Sequence, residues 1–258
     1  MPETWVIASN VFRQMLRNRI LIVLTLCALA MVGVVGFLGD LGQDAELRLA
    51  RDFGLLTLEA VAFFTVLLCH VVLLFEESEL KTYNILLVKP VERWHVLLGR
   101  TLGAVLLMLM NQAGMLALLW LLGLWRGLAI VDSDFIVSAC YLAAGGALFS
   151  AVTAFFSVLA SSVPAAAMFS TFAFALGHFT ANLLEWTQNL HNPVLVWAVK
   201  VLYWVVPNFG LFNIQDSLDQ VGGGLHIGGV FLWPLAYACC YGALILSLAL
   251  WRYELKDF

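Results

Sequence analysis

Apolar positions in this chain fall into long unbroken blocks, at about Ile20 to Leu38, Leu55 to Phe75, Thr101 to Trp125, Phe135 to Leu159, Ala165 to Leu184 and Gly228 to Trp251. A bilayer core of about 30 Å takes roughly 20 helical residues to cross, which is the length of these blocks. The pattern predicts an all-α polytopic membrane protein with six transmembrane helices in a single transmembrane domain over 1–258. The first block is too long for a secretory signal core and no small-x-small cleavage site follows it, so it is expected to be an uncleaved anchor.

Two shorter stretches have a different character. Before the first block, Trp5, Ala8, Phe12, Met15 and Leu16 recur at helical spacing, with Glu3, Asn10, Arg13, Gln14 and Arg17 elsewhere on the wheel. Residues 1–19 are therefore expected to form an amphipathic helix along the cytoplasmic membrane surface, whose simplest role is that of an anchor. Pro193 to Val206 is apolar except for Lys200 and is too short to span, and Pro207 ends it. With Trp186, Trp197, Tyr203, Trp204, Phe209 and Phe212 gathered around it, the connection 185–227 predicts an outer re-entrant cap, and Gly222 to Gly224 a turn before the last span.

Composition confirms the solvent, since 62% hydrophobic and 12% charged residues cannot cover a soluble domain with polar surface. The net charge of −4 is unclustered, and nothing in it suggests a nucleic-acid partner. Basic residues set the orientation. Arg13, Arg17, Arg19, Lys81, Lys89, Arg93, Arg100, Arg252 and Lys256 fall on one side, whereas Arg48, Arg51, Arg126 and Lys200 fall on the other. Short cytoplasmic segments are enriched in Lys and Arg, so both termini are expected in the cytoplasm, with the protein in a cell inner membrane.

The segment 76–100 carries the most specific signal. Glu76, Glu77, Glu79, Lys81, Lys89, Glu92, Arg93 and Arg100 alternate in sign, with Ile85, Leu86, Leu87, Val88, Val91 and Val96 between them. A charged loop is ordinarily just solvated, but these interleaved apolar residues predict an ordered surface. Pro90 should divide it into two elements, the second restarting at Glu92 and running into the third span.

Glu76, Glu77, Lys81, Thr82, Leu86, Leu87, Lys89, Pro90, Val91, Arg93, Leu98, Gly99 and Arg100, in this spacing, resemble the cytoplasmic connection of ABC-2 type transporter permeases. Pro207, Asn208, Phe209, Phe212 and Asn213 are similar to the turn that often follows the outer segment in that family. The resemblance implies the membrane subunit of an ATP-driven exporter, working as a dimer with a second permease protomer and with cytoplasmic ABC ATPase subunits that bind ATP and Mg. Glu76, Glu77, Glu79, Lys81, Lys89 and Arg93 would then dock the ATPase, with the segment Thr4 to Arg17 beside them. The chain has no Gly-x-x-x-x-Gly-Lys-Ser/Thr run, hence no phosphate-cradling loop, no cofactor of its own and no ATPase activity to expect from it.

Polar residues inside spans are functional candidates because desolvating them is costly. Asn111 and Gln112 near the middle of the third span, and His178 and Asn182 on one face of the fifth, are the substrate-path candidates, although hydrogen bonding between helices explains such residues more simply. Glu59 and His70 lie near opposite ends of the second span, with Glu59 close enough to the outer boundary to reach water. Small residues permit close helix packing. They line the fifth span (Ala166, Ser170, Ala173, Gly177, Ala181) and the fourth (Ala143, Ala147, Ala151, Ala154), and serve contacts within a protomer or between two.

Three other classes compete. An intramembrane hydrolase lacks a His-Glu-x-x-His, Gly-x-Ser-x-Gly or paired Asp motif. A metal or cofactor-assembly transport component could draw on Cys69, His70, Cys239, Cys240, Met108, Met110 and Met115, but their spacing matches no definite site and Cys and Met are ordinary apolar filler. A non-transporting membrane scaffold is the third.

Overall fold

The computed structural model describes residues 2–18, 30, 33, 43–80, 92–160, 162–189, 193–214 and 232–255, and for 2, 43–46, 75–80, 93, 181–189 and 198 the backbone alone. The elements are α1 (Pro2–Leu16), α2 (Gln43–Leu80), α3 (Arg93–Arg126), α4 (Ser133–Leu159), α5 (Val163–Asn189), α6 (Pro193–Val205), a 3-10 turn (Phe209–Phe212) and α7 (Leu232–Glu254), with no strand among the described residues. Five of these helices, α2 to α5 and α7, are long and apolar enough to cross a membrane. They match five of the six expected spans. The block Ile20 to Leu38 lies outside the described residues except at positions 30 and 33.

The long helices overrun their apolar blocks. At 38 and 34 residues, α2 and α3 reach lengths of about 57 and 51 Å, well beyond the hydrocarbon core. Part of the charged connection is thus helical: α2 continues through Glu76, Glu77 and Glu79 to Leu80, and α3 starts at Arg93 immediately after extended Glu92, as the break at Pro90 predicts. Residues 81–91 lie outside the described residues.

The bundle core is layered. Leu58, Leu119, Phe135 and Leu142 fill one end; Val66, Met108, Phe149 and Phe212 fill the middle; Leu97, Ala154, Ala249 and Tyr253 fill the other end. At the first end Gly127, in the left-handed region at φ 70°, closes α3 by donating its N–H to the Gly123 carbonyl. Nearby, Asp132 caps α4 by accepting from the Phe135 N–H at 2.9 Å and pairs with Arg51 of α2, whose guanidinium also donates to the Ala129 carbonyl at 3.0 Å. One carboxylate therefore ties together α2, the connection and the start of α4. Asp132→Ala is expected to destabilise the fold by about 1 kcal/mol for the lost cap. Asp132→Asn should recover most of this, because the ion pair is part-exposed and worth at most about 1 kcal/mol. Denaturation midpoints of the purified variants check this ordering.

Helix α1 does not simply rest on the membrane surface. It runs parallel to α3 and in register with it: Glu3 lies 3.5 Å from His95, Thr4 and Ile7 border Gly99, Ala8 and Val11 border Gly103, and Met15 packs in a cluster with Ala104 and Leu107. The buried face is Ala8, Val11 and Met15, while Trp5, 63% exposed, and Leu16 point away. Ala8 and Met15 of the expected apolar stripe belong to this buried face, and Val11 joins them. Gly99 and Gly103 leave a groove that admits the small and β-branched side chains, and the bulky tryptophan is excluded from it.

Candidate functional site

The 3-10 turn Phe209–Phe212 carries two aromatic rings into the bundle rather than leaving them at its rim. Phe209 and Phe212 are buried against Phe149, Met108 and Val66. Glycines make the room: a Cβ at Gly145 of α4 would lie 3.1 Å from the Phe212 ring, and one at Gly177 of α5 would lie 2.4 Å from both the Phe209 ring and the Pro207 carbonyl oxygen. Two tyrosines of α7 hold the entry to the turn. The Asn208 N–H donates to the Tyr237 hydroxyl at 3.0 Å, and the Tyr241 hydroxyl donates to the Val205 carbonyl at 2.6 Å.

Beside the seated turn, Glu59 of α2 meets His178 of α5, with Oε1 2.5 Å from Nε2. The other ring nitrogen, Nδ1, lies 3.1 Å from the Phe174 carbonyl oxygen. Phe174 and Phe209 flank the imidazole at centroid distances of 4.5 and 6.0 Å, Phe209 nearly parallel to it at 20°. A cavity of about 20 Å³ adjoins Glu59 and is otherwise lined by apolar groups, among them Phe63, Phe149, Phe174, Phe209 and Phe212. It is large enough for a water molecule. Two ionisable groups so placed among aromatic rings in apolar helices form the chief concentration of chemistry among the described residues.

The expected substrate-path residues are not brought to one place. His178 is in this site. Asn111 donates from Nδ2 to Thr65 Oγ1 at 3.0 Å, an α3 to α2 hydrogen bond of the structural kind. Gln112 is buried, and its Nε2 has no hydrogen-bond partner among the described residues. The Asn182 side chain lies outside the described residues, as do those of Glu76, Glu77, Glu79 and Arg93 and the whole of Lys81 and Lys89. His70 is buried with Nε2 3.2 Å from Ser150 Oγ on α4.

The soft-ligand candidates are likewise dispersed. Cys69 packs with Val11, Met15 and Leu107; Met108 and Met115 belong to different core layers; Met110, Cys239 and Cys240 are exposed. Among the described residues no three His, Cys, Asp or Glu side chains converge as a metal site would require. The small-residue stripes are used within the chain: Ala166 and Ser170 of α5 and Ala151 and Ala154 of α4 are buried, and Gly177 seats the turn.

The partnership of Glu59 with His178, 119 positions apart, was not anticipated. A signal existed: both residues stand about one turn or two from span ends that lie on the same side, on helices of opposite direction, and an unpaired intramembrane carboxylate would be costly. No protein-family model and no curated protein matches this chain.

Proposed function

We propose that the chain is the membrane-spanning permease subunit of an ATP-driven exporter of the ABC-2 type, paired with a second protomer and coupled to a separate cytoplasmic ATPase. The observation that supports this most directly is α1 locked along the first turns of α3. It places the amphipathic helix beside the end of the charged connection and joins both to one transmembrane rod. A push on such a platform moves α3 as a unit, since close-packed helices transmit displacement rather than absorb it. Glu77 and Arg93 lie on the helical ends that flank the connection, so an ATPase gripping it would pull on α2 and α3 together.

The short helix α6 and the turn that follows it fit the outer re-entrant segment of that arrangement. At 13 residues, α6 extends about 20 Å, less than the hydrocarbon core, and Lys200 on it is exposed. A second protomer would meet the bulky apolar faces of the outer helices, such as Met168, Phe172 and Phe179 on α5, because Ala166 and Ser170 of α5 and Ala151 and Ala154 of α4 are already buried within the protomer. The basic-residue asymmetry supports cytoplasmic termini, and an inner-membrane location goes with the exporter reading.

Affinity purification of the full chain from its native membrane is expected to recover an ATPase whose hydrolysis rate rises in the complex. The double reversal Glu77→Lys with Arg93→Glu should reduce that recovery several-fold while leaving membrane insertion intact. Single exposed pairs contribute only about 0 to 1 kcal/mol, so the double variant is the informative one. Recovery of no ATPase would leave a membrane scaffold as the better description; full recovery with the double variant would place the docking surface elsewhere.

A further inference from the structure

Three groups meet at the outer half of the bundle: the Glu59 carboxyl, the His178 imidazole and the Pro207 to Phe212 turn. The Phe174 carbonyl can only accept, so His178 Nδ1, 3.1 Å away, carries a hydrogen. The remaining contact, Nε2 to Glu59 Oε1, then holds together only if one further proton lies between them. With that proton the pair is neutral overall, either as carboxylate and imidazolium or as carboxylic acid and imidazole. Without it, the Nε2 lone pair faces a carboxylate lone pair across 2.5 Å, between side chains that are 33% and 25% exposed. Two facing lone pairs make no hydrogen bond, so the contact opens.

The imidazole borders the seated turn. Phe209 lies nearly parallel to it, and Gly177, the residue before His178, is the seat of the Phe209 ring and of the Pro207 carbonyl. We propose that Glu59 and His178 form a proton-binding site whose occupancy holds the Pro207 to Phe212 turn in its seat. Losing the proton frees the ring from Glu59, unseats Phe209 and loosens the turn at the outer end of α5. By linkage, a turn held in its seat binds the proton more tightly.

The sign follows directly. The seated state holds one proton more, so seating strengthens as pH falls and weakens as it rises, by up to tenfold per pH unit for a single proton. Other titratable groups are poorly placed to produce this effect. Packed against α5, α4 brings Tyr141 to the same core layer, and α6 carries exposed Lys200 and half-buried Tyr203. Tyr237 of α7 meets the turn at Asn208, and the turn itself contributes apolar rings. Glu185 lies on α5 with its side chain outside the described residues. None of them among the described side chains bonds to His178; Glu59 does.

The proposal is independent of what the chain transports and is tested on the full chain in lipid nanodiscs. Hydrogen exchange of peptides covering residues 207–214 is followed from pH 5 to pH 9 and corrected for the intrinsic pH dependence of exchange. Wild-type protection is expected to fall at least tenfold across this range. Glu59→Gln supplies an N–H to Nε2 without a shared proton, and should keep the turn protected throughout. His178→Phe keeps the ring stack and removes the proton site, and should flatten the profile; monodispersity and helix content confirm that both variants are folded. A flat wild-type profile, or the wild-type pH dependence persisting in Glu59→Gln, overturns the proposal.

Discussion

Gly177→Leu is expected to expel the Pro207 to Phe212 turn from the bundle. A Cβ at this position would sit 2.4 Å from the Phe209 ring and 2.4 Å from the Pro207 carbonyl oxygen, closer than real contacts allow. The ring could rotate, but the carbonyl belongs to a backbone held on one side by Tyr237 and on the other by Tyr241. Overpacking of a filled core ordinarily costs about 1–3 kcal/mol, and a leucine must displace the buried Phe209 ring as well. The purified variant should show a clear drop in thermal midpoint and strongly accelerated hydrogen exchange at 207–214. Gly177→Ala should shift both in the same direction by less. Gly114→Ala is the control, because a Cβ at Gly114 meets nothing within 4 Å and is expected to be neutral. Equal behaviour of the Gly114 and Gly177 variants would mean that the turn is not seated on α5.

The double variant Gly99→Leu with Gly103→Leu should detach α1 from α3. A Cβ at Gly99 would lie 2.8 Å from Ile7 and 3.0 Å from the Thr4 carbonyl oxygen; one at Gly103 would lie 2.8 Å from Val11 and 3.0 Å from the Ala8 carbonyl oxygen. Both obstacles include α1 backbone, so no rotamer change relieves them, and two successive turns are pushed off together. At about 1–3 kcal/mol for each site, the detached population should rise by tenfold or more, since every 1.4 kcal/mol or so is a factor of ten. Trypsin cleavage at Arg13 and Arg17 reads this directly, and should accelerate at least tenfold while the transmembrane core stays intact. An unchanged cleavage rate would sink the register deduced for α1. If α1 is part of the ATPase platform, the same variant should also lose ATPase recovery.

Much of the architecture was legible before any coordinates. The expected blocks Leu55 to Phe75, Thr101 to Trp125, Phe135 to Leu159, Ala165 to Leu184 and Gly228 to Trp251 each lie within or largely overlap an observed helix. So did the short helix ending before Pro207 and the restart of helix after Glu92. Boundaries were less legible, because α2 and α3 continue as helices through charged residues that hydropathy treats as loop. A helix satisfies its own backbone hydrogen bonds and so does not have to stop where the lipid does.

The candidate site was legible only in part. His178 and Glu59 could be picked out as ionisable groups in apolar spans, but their bond joins α2 to α5 across 119 positions. Phe209 was read as an interfacial ring, since an aromatic near a span end ordinarily belongs at the headgroups. It is buried because Gly177 and Gly145, on two other helices, leave space at the heights where the turn arrives.

The amino-acid sequence by itself determined the apolar, multi-helix class and the positions of five long apolar helices, because these depend on the apolar content and spacing of contiguous residues against a slab of known thickness. Only the tertiary structure decided which face of α1 is buried, which glycines are sockets and which polar residue meets Glu59. Those outcomes depend on the rotation and depth of one helix against another, and in lipid every helix face is apolar enough to be a candidate until packing selects among them.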